Sequence, residues 1–212
     1  MPEGLAIEWA LVPIGFLGAL VYGVTGFGSA LVTIPLATHF VPLPFALAVF
    51  VLQDFSSALR VASENPRHVV KAEVARMVPL MVVGTIVGTG LLLILPRKAS
   101  MLALGLFVLL YGAGGPPYAI YLSHRGMSKE KFRSTLTLNL VFSIGFRVVA
   151  RASAGLLFRT EVWMTALLVV PTAMLAIFLA SRLFRRMSRE LLLRLVALLL
   201  FATGASLIVR AL

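Results

Sequence analysis

Residues 9–53, WALVPIGFLGALVYGVTGFGSALVTIPLATHFVPLPFALAVFVLQ, contain no Asp, Glu, Lys or Arg. A helix needs about 20 apolar residues to cross the hydrocarbon of a bilayer. Three further uncharged runs follow, at 77–96, 99–124 and 162–181. Hydrocarbon offers the backbone no water, so such runs must be helices, or broken helices packed against protein. Composition agrees: 60% of residues are hydrophobic and 13% charged, against about 25% charged in soluble domains. A soluble domain is excluded, and the expected class is an all-α, polytopic integral membrane protein.

The net charge is +11. On a soluble chain this would suggest nucleic acid. Here most basic residues fall between the hydrophobic runs, where they orient helices and meet anionic headgroups. The expected surroundings are therefore a lipid bilayer, with no nucleic-acid partner. Cysteine is absent, which removes disulfides, thiolate chemistry and Cys-ligated metals. Residues 1–8 carry Glu3 and Glu8 but no Lys or Arg, unlike the positive start of a secretory signal. The first hydrophobic run is therefore expected to be part of the mature structure.

The hydrophobic pattern predicts a broken segment over about 6–40 and helices at 44–63, 71–94 and 98–111. A second set follows, with a short segment at 113–123 and helices at 129–150, 160–183 and 188–210. The sets resemble each other. With Gly28 placed over Gly114, Gln53 falls on Asn139 and Arg60 lies one place from Arg147. The small-residue pairs Gly84/Gly88 and Ala176/Ala180 also correspond, and such pairs let helices approach closely. Two repeats are expected, 1–110 and 111–212, each a broken re-entrant helix plus three transmembrane helices. If the loop near Pro66 is cytoplasmic, 13 of the basic residues lie inside and six outside. The positive-inside rule favours that arrangement, and it makes the repeats inverted.

Inverted repeats with interruptions in matching places point to a secondary transporter with its site near the midplane. The interruptions are Gly26-Phe27-Gly28-Ser29 and Gly112-Ala113-Gly114-Gly115-Pro116-Pro117, the latter followed by Tyr118. Glycine lets backbone approach a ligand, and proline suits the first turn of a helix. Half-helix N-termini aimed inward offer free N–H groups and a positive dipole end, which is an anion site.

At these residues the chain resembles the TauE/SafE family of membrane permeases, the sulfite exporters. The features are Gly26-Phe27-Gly28 with Pro35, the segment Gly112 to Pro117, and the basic turn from Arg182 to Arg189. The resemblance implies transport of sulfite, sulfoacetate or related sulfonates across the cytoplasmic membrane of a bacterium. One departure is that Leu104 to Leu110 runs almost directly into Gly112, where the family has a hydrophilic linker and another half-helix. The second repeat is expected either to have lost its first half-helix or to be joined across an omitted stretch near residues 106–111, the join being favoured.

Several side chains are candidates for the site. Gln53 and Asn139 occupy equivalent mid-helix positions, where a polar group either binds substrate or joins helices by hydrogen bonds. Asp54 is the only acid deep in a predicted span and could carry a coupling proton, or could pair with Arg60 or Arg147. Arg60 and Arg147 lie about two turns from the midplane, roughly 10 Å by helix rise. A guanidinium fork suits a sulfonate, and snorkelling to the interface is the plainer alternative. Thr33, Tyr118, Tyr121 and Ser143 are weaker hydroxyl candidates. His39, His68 and His124 form no metal-ligand spacing, and no nucleophile elbow or nucleotide loop is present. The expected substrate set is thus Gly26, Phe27, Gly28, Ser29, Gln53, Arg60, Gly114, Gly115, Pro116, Pro117, Tyr118, Asn139 and Arg147, with Asp54 coupling. No catalysis, cofactor or metal is expected, and a homodimer is an open arrangement. The alternatives are an anion channel or a permease for another small carboxylate or oxyanion.

Overall fold

The computed structural model describes residues 2–79, 83, 121–122, 124–153, 155–188, 190–192, 194–195, 197–198 and 201. Side chains of residues 2–8 and 150 are not among them. The described elements are helical: α1 Pro2–Thr25, α2 Ser29–Ala37, α3 Leu43–Glu64, α4 Lys129–Ser153 and α5 Thr160–Arg186, with a 3-10 turn at Pro66–His68. Residues 71–79 are also helical. Three of these helices, α3, α4 and α5, are long and apolar enough to cross a membrane, and Trp9–Thr25 is a shorter apolar helix. The second interruption, Gly112 to Pro117, with Tyr118 and the expected join near 106–111, lies outside the described residues. So do the basic positions Arg97, Lys98, Arg189 and Arg210 and the small pair Gly84/Gly88.

The chain divides into two compact units. One comprises residues 1–67 and 140–187, the other 68–139 and 188–212. In the first unit α1 packs mainly on α5 and α2, while α3 packs on α5, α2 and α1. Helices in lipid associate through close packing, since hydrocarbon is as apolar as a leucine side chain. Gly15 shows how. A Cβ built there would stand 2.6 Å from both Gln53 Oε1 and Val169 Cγ1, so only glycine lets α1 approach α3 and α5 this closely. The opposite faces carry large exposed apolar groups, including Trp9, Phe146, Leu167 and Trp163, as lipid-facing surfaces do.

Charge and proline set the helix limits. Pro42 and Pro44 flank the start of α3, with a proline in its first turn, where the absent N–H would be unpaired in any case. Glu161 stands in the first turn of α5, and Arg185 and Arg186 in its last, each opposing the local dipole charge. Pro171 inside α5 removes one backbone donor, while the neighbouring Thr172 hydroxyl donates to the Val169 carbonyl at 2.8 Å. In the second unit the Val70 N–H donates to Thr135 Oγ1 at 3.0 Å, tying the segment after the 3-10 turn to α4.

Candidate functional site

The break between α1 and α2 is built from glycine conformation and one hydroxyl. Gly26 and Gly28 have φ of 83° and 88°, in the left-handed region that L side chains enter only at a cost. Thr25 Oγ1 donates to the Phe27 carbonyl at 2.7 Å and approaches the Val21 carbonyl at 2.9 Å. It also accepts from the Phe27 N–H at 3.3 Å. Gly28 then caps α2, and the Leu31 N–H returns to its carbonyl at 3.1 Å. The N–H groups ahead of Leu31 have no carbonyl of their own helix to bind. Phe27 is buried beside them.

The first unit leaves several buried oxygens unpartnered. Ser29 Oγ, Gln53 Oε1, Asp54 Oδ1 and Ser57 Oγ have no hydrogen-bond partner. Ser29, Gln53 and Ser57 are at most 2% exposed and Asp54 is 8% exposed. Ser29 stands beside the Asp54 carboxylate without closing a well-formed hydrogen bond to it. Ser57 follows Gln53 by four residues and Asp54 by three, so its Cβ emerges between theirs one turn on. The Gln53 amide is half used: Nε2 donates to the Gly15 carbonyl at 3.0 Å. A buried polar group without a partner costs free energy, and these four oxygens are the candidates of this unit to meet a polar ligand.

Of the described charged groups, Arg147 and Arg151 of α4 act electrostatically on the Asp54 carboxyl. Arg147 is exposed, and its Nη2 donates to Ser143 Oγ at 3.3 Å. Arg60 is placed differently. It is about half exposed and lies 3.9 Å from Glu64, whose carboxylate accepts the Ser181 hydroxyl at 2.7 Å. Thr33 bonds its own helix through the Ser29 carbonyl at 3.1 Å. Asn139 is fully buried, with both amide atoms unpartnered, and belongs to the second unit. Gly114, Gly115, Pro116, Pro117 and Tyr118 are outside the described residues.

Two features escape the sequence reading. Ser57 and Arg151 repeat the spacing of residues already singled out, four places after Gln53 and Arg147, and that periodicity is the signal that would have found them. The second is a carboxylate cluster in the second unit. Glu73 is buried and accepts from Arg125 Nη2 at 2.6 Å, from Arg125 Nε at 3.2 Å and from Tyr121 OH at 2.7 Å. Arg76 lies 3.6 Å away, and the Arg125 guanidinium sits 5.6 Å above the Tyr121 ring. No group of three His, Cys, Asp or Glu suited to a metal occurs among the described residues.

Residues 11–114 match the family model for Sulfite exporter TauE/SafE. That span includes the whole Gly26 to Ser29 break, Gln53 and Asp54. No curated protein and no solved structure matches the chain.

Proposed function

Taking residues 11–114 as a stretch of the Sulfite exporter TauE/SafE family, we propose that the chain is a multi-pass secondary transporter of the cytoplasmic membrane. Its substrate is a small sulfur-containing anion, sulfite or an organosulfonate such as sulfoacetate. The observation that carries this reading is the start of α2. A left-handed Gly28 exposes first-turn N–H groups beside the unpartnered Ser29 hydroxyl and the buried Asp54. Amide N–H groups, hydroxyls and the positive end of a helix together favour an anion. In this reading Gly26, Phe27, Gly28 and Ser29 form one half of the site, with Gln53 at its side, and Arg147 draws the anion in. By repeat register Gly114 to Tyr118 and Asn139 take the corresponding roles in an inverted second repeat.

Asp54 couples the cycle. An ionised carboxylate beside a bound anion repels it, and protonation removes that repulsion, so anion and proton bind cooperatively and reciprocally. Purified protein in proteoliposomes tests the function: an imposed proton gradient should drive accumulation of sulfite or sulfoacetate beyond its own electrochemical equilibrium. A channel cannot do this, so flux that only dissipates the anion gradient would replace the transporter reading with a channel.

A further inference from the structure

The outward face of α5 changes character along its length. Leu175, Phe178, Leu179 and Leu183 are exposed apolar side chains, spaced three to four apart so that they share one side of the helix. The same face ends in Arg182 and Arg186, both exposed. The Arg182 guanidinium lies 4.4 Å from the centre of the Phe178 ring, one turn back. α3 repeats the change at its own end, where the exposed Leu59 is followed by the exposed Arg60.

Hydrogen bonds bring these two ends together. The Ser181 hydroxyl donates to Glu64 Oε1 at 2.7 Å and approaches Oε2 at 2.9 Å, and Arg60 Nη1 stands 3.9 Å from the same Oε1. One carboxylate thus links Arg60 to the turn of α5 that carries Arg182. The other acids of this unit stand elsewhere. Asp54 precedes Glu64 by about 15 Å of helix, and Glu161 in the first turn of α5 lies about 30 Å from Arg182. Glu3 and Glu8 open α1, which runs beside α5 in the same direction, since a Cβ on Gly15 would meet Val169 and one on Gly23 would meet Ala180. They therefore belong to the opposite end. Within this unit Glu64 alone faces Arg60, Arg182 and Arg186, and Arg185 and Arg67 add further positive charge.

A cationic end by itself suits any anion. The exposed apolar face leading into it suits only an amphiphile, because a small oxyanion gains nothing from leucine and phenylalanine. The distribution of basic residues assigns this end to the cytoplasmic side, where membrane lipids carry negative headgroups. We propose that the joined ends of α3 and α5 hold an anionic phospholipid of the inner leaflet. Its phosphate meets Arg182 and Arg186 with Arg60 beside them, and its acyl chains lie along the apolar face of α5. This requires the chain to sit in a bilayer and is independent of the anion site at α2.

Displacement of a fluorescent phosphatidylglycerol from the purified protein in neutral detergent tests it. Unlabelled phosphatidylglycerol should displace the probe at least about tenfold better than phosphatidylcholine with the same chains, and glycerol 3-phosphate, the headgroup charge without the chains, should not displace it. Arg182→Gln/Arg186→Gln should lose the preference between the two lipids, and Arg60→Gln should weaken phosphatidylglycerol by about fivefold. Phe178→Ser should weaken both lipids. Arg159→Gln, at the opposite end of α5, should bind as wild type does. Where the double variant fails to fold, Arg186→Gln and Arg60→Gln decide in its place. An unchanged preference in the arginine variants overturns the proposal, as does equal displacement by the two lipids in wild type. Displacement by glycerol 3-phosphate would overturn it in favour of a site for small phosphate anions.

Discussion

The Glu73 carboxylate receives three hydrogen bonds from Arg125 and Tyr121 in a buried position. Hydrogen bonds in which a partner is charged are the strong ones, and here they tie Glu73 to Arg125 and Tyr121. Glu73→Gln should reduce the melting temperature of the purified protein, and an unchanged melting temperature would mean that the cluster contributes nothing to stability. Gly28 supports a second prediction at this scale. Its φ of 88° costs an L side chain about 1–2 kcal/mol, and among the described residues only the Val21 and Leu31 side chains lie within 4 Å of an added Cβ, at 3.7 and 3.9 Å. Gly28→Ala should therefore be destabilised by that strain alone. Thermal unfolding of the variant checks it, and a loss near zero would show that the break relaxes.

At the scale of elements, Gly15 holds α1 against α3 and α5. A Cβ there would meet Gln53 Oε1 and Val169 Cγ1 at 2.6 Å, so Gly15→Val should overpack the contact by about 1–3 kcal/mol and displace the Gln53 amide. Comparing denaturation of Gly15→Ala and Gly15→Val would test this, the larger side chain costing more. These helices were legible in the order of residues to within a few positions. The expected 44–63, 129–150 and 160–183 correspond to Leu43–Glu64, Lys129–Ser153 and Thr160–Arg186. The excess falls at Arg151, Arg185 and Arg186, because hydropathy stops at a charge whereas an arginine continues a helix and reaches for the interface. Asp54 was legible as the single acid deep in a span, and Gly26 to Ser29 as an interruption. The approach of Ser29 to Asp54 was not, since it joins residues on separate helices and is fixed by how α2 and α3 pack. Nor was the use of the Gln53 donor on Gly15, which local pattern cannot encode. Arg60 and Arg147 looked equivalent by register, yet one stands by Glu64 and the other near Asp54, since each acquires its neighbours from a different helix.

For the whole molecule the arrangement in the bilayer makes a direct demand. With 13 basic residues assigned to the cytoplasmic side and six to the outer side, Asn65 and Ser188 should face the cytoplasm and Arg159 the exterior. The native chain has no cysteine, so single introduced ones report without background. In intact cells an impermeant thiol reagent should label Arg159→Cys and spare Asn65→Cys and Ser188→Cys, and the reverse pattern would sink the orientation. The Thr25 hydroxyl, which spans the gap from the last turn of α1 to Phe27, has a mechanical consequence as well. Glycines alone would make the junction of α1 and α2 a free swivel. One small side chain turns it into a set elbow, so the angle at which the N–H groups are presented is held by hydrogen bonds as well as by packing. Thr25→Val keeps the shape and removes the brace. It should leave the protein folded yet let the forearm wander, raising hydrogen exchange at residues 26–31 and slowing anion turnover more than it weakens anion binding. Unchanged exchange there would mean that packing alone sets the angle.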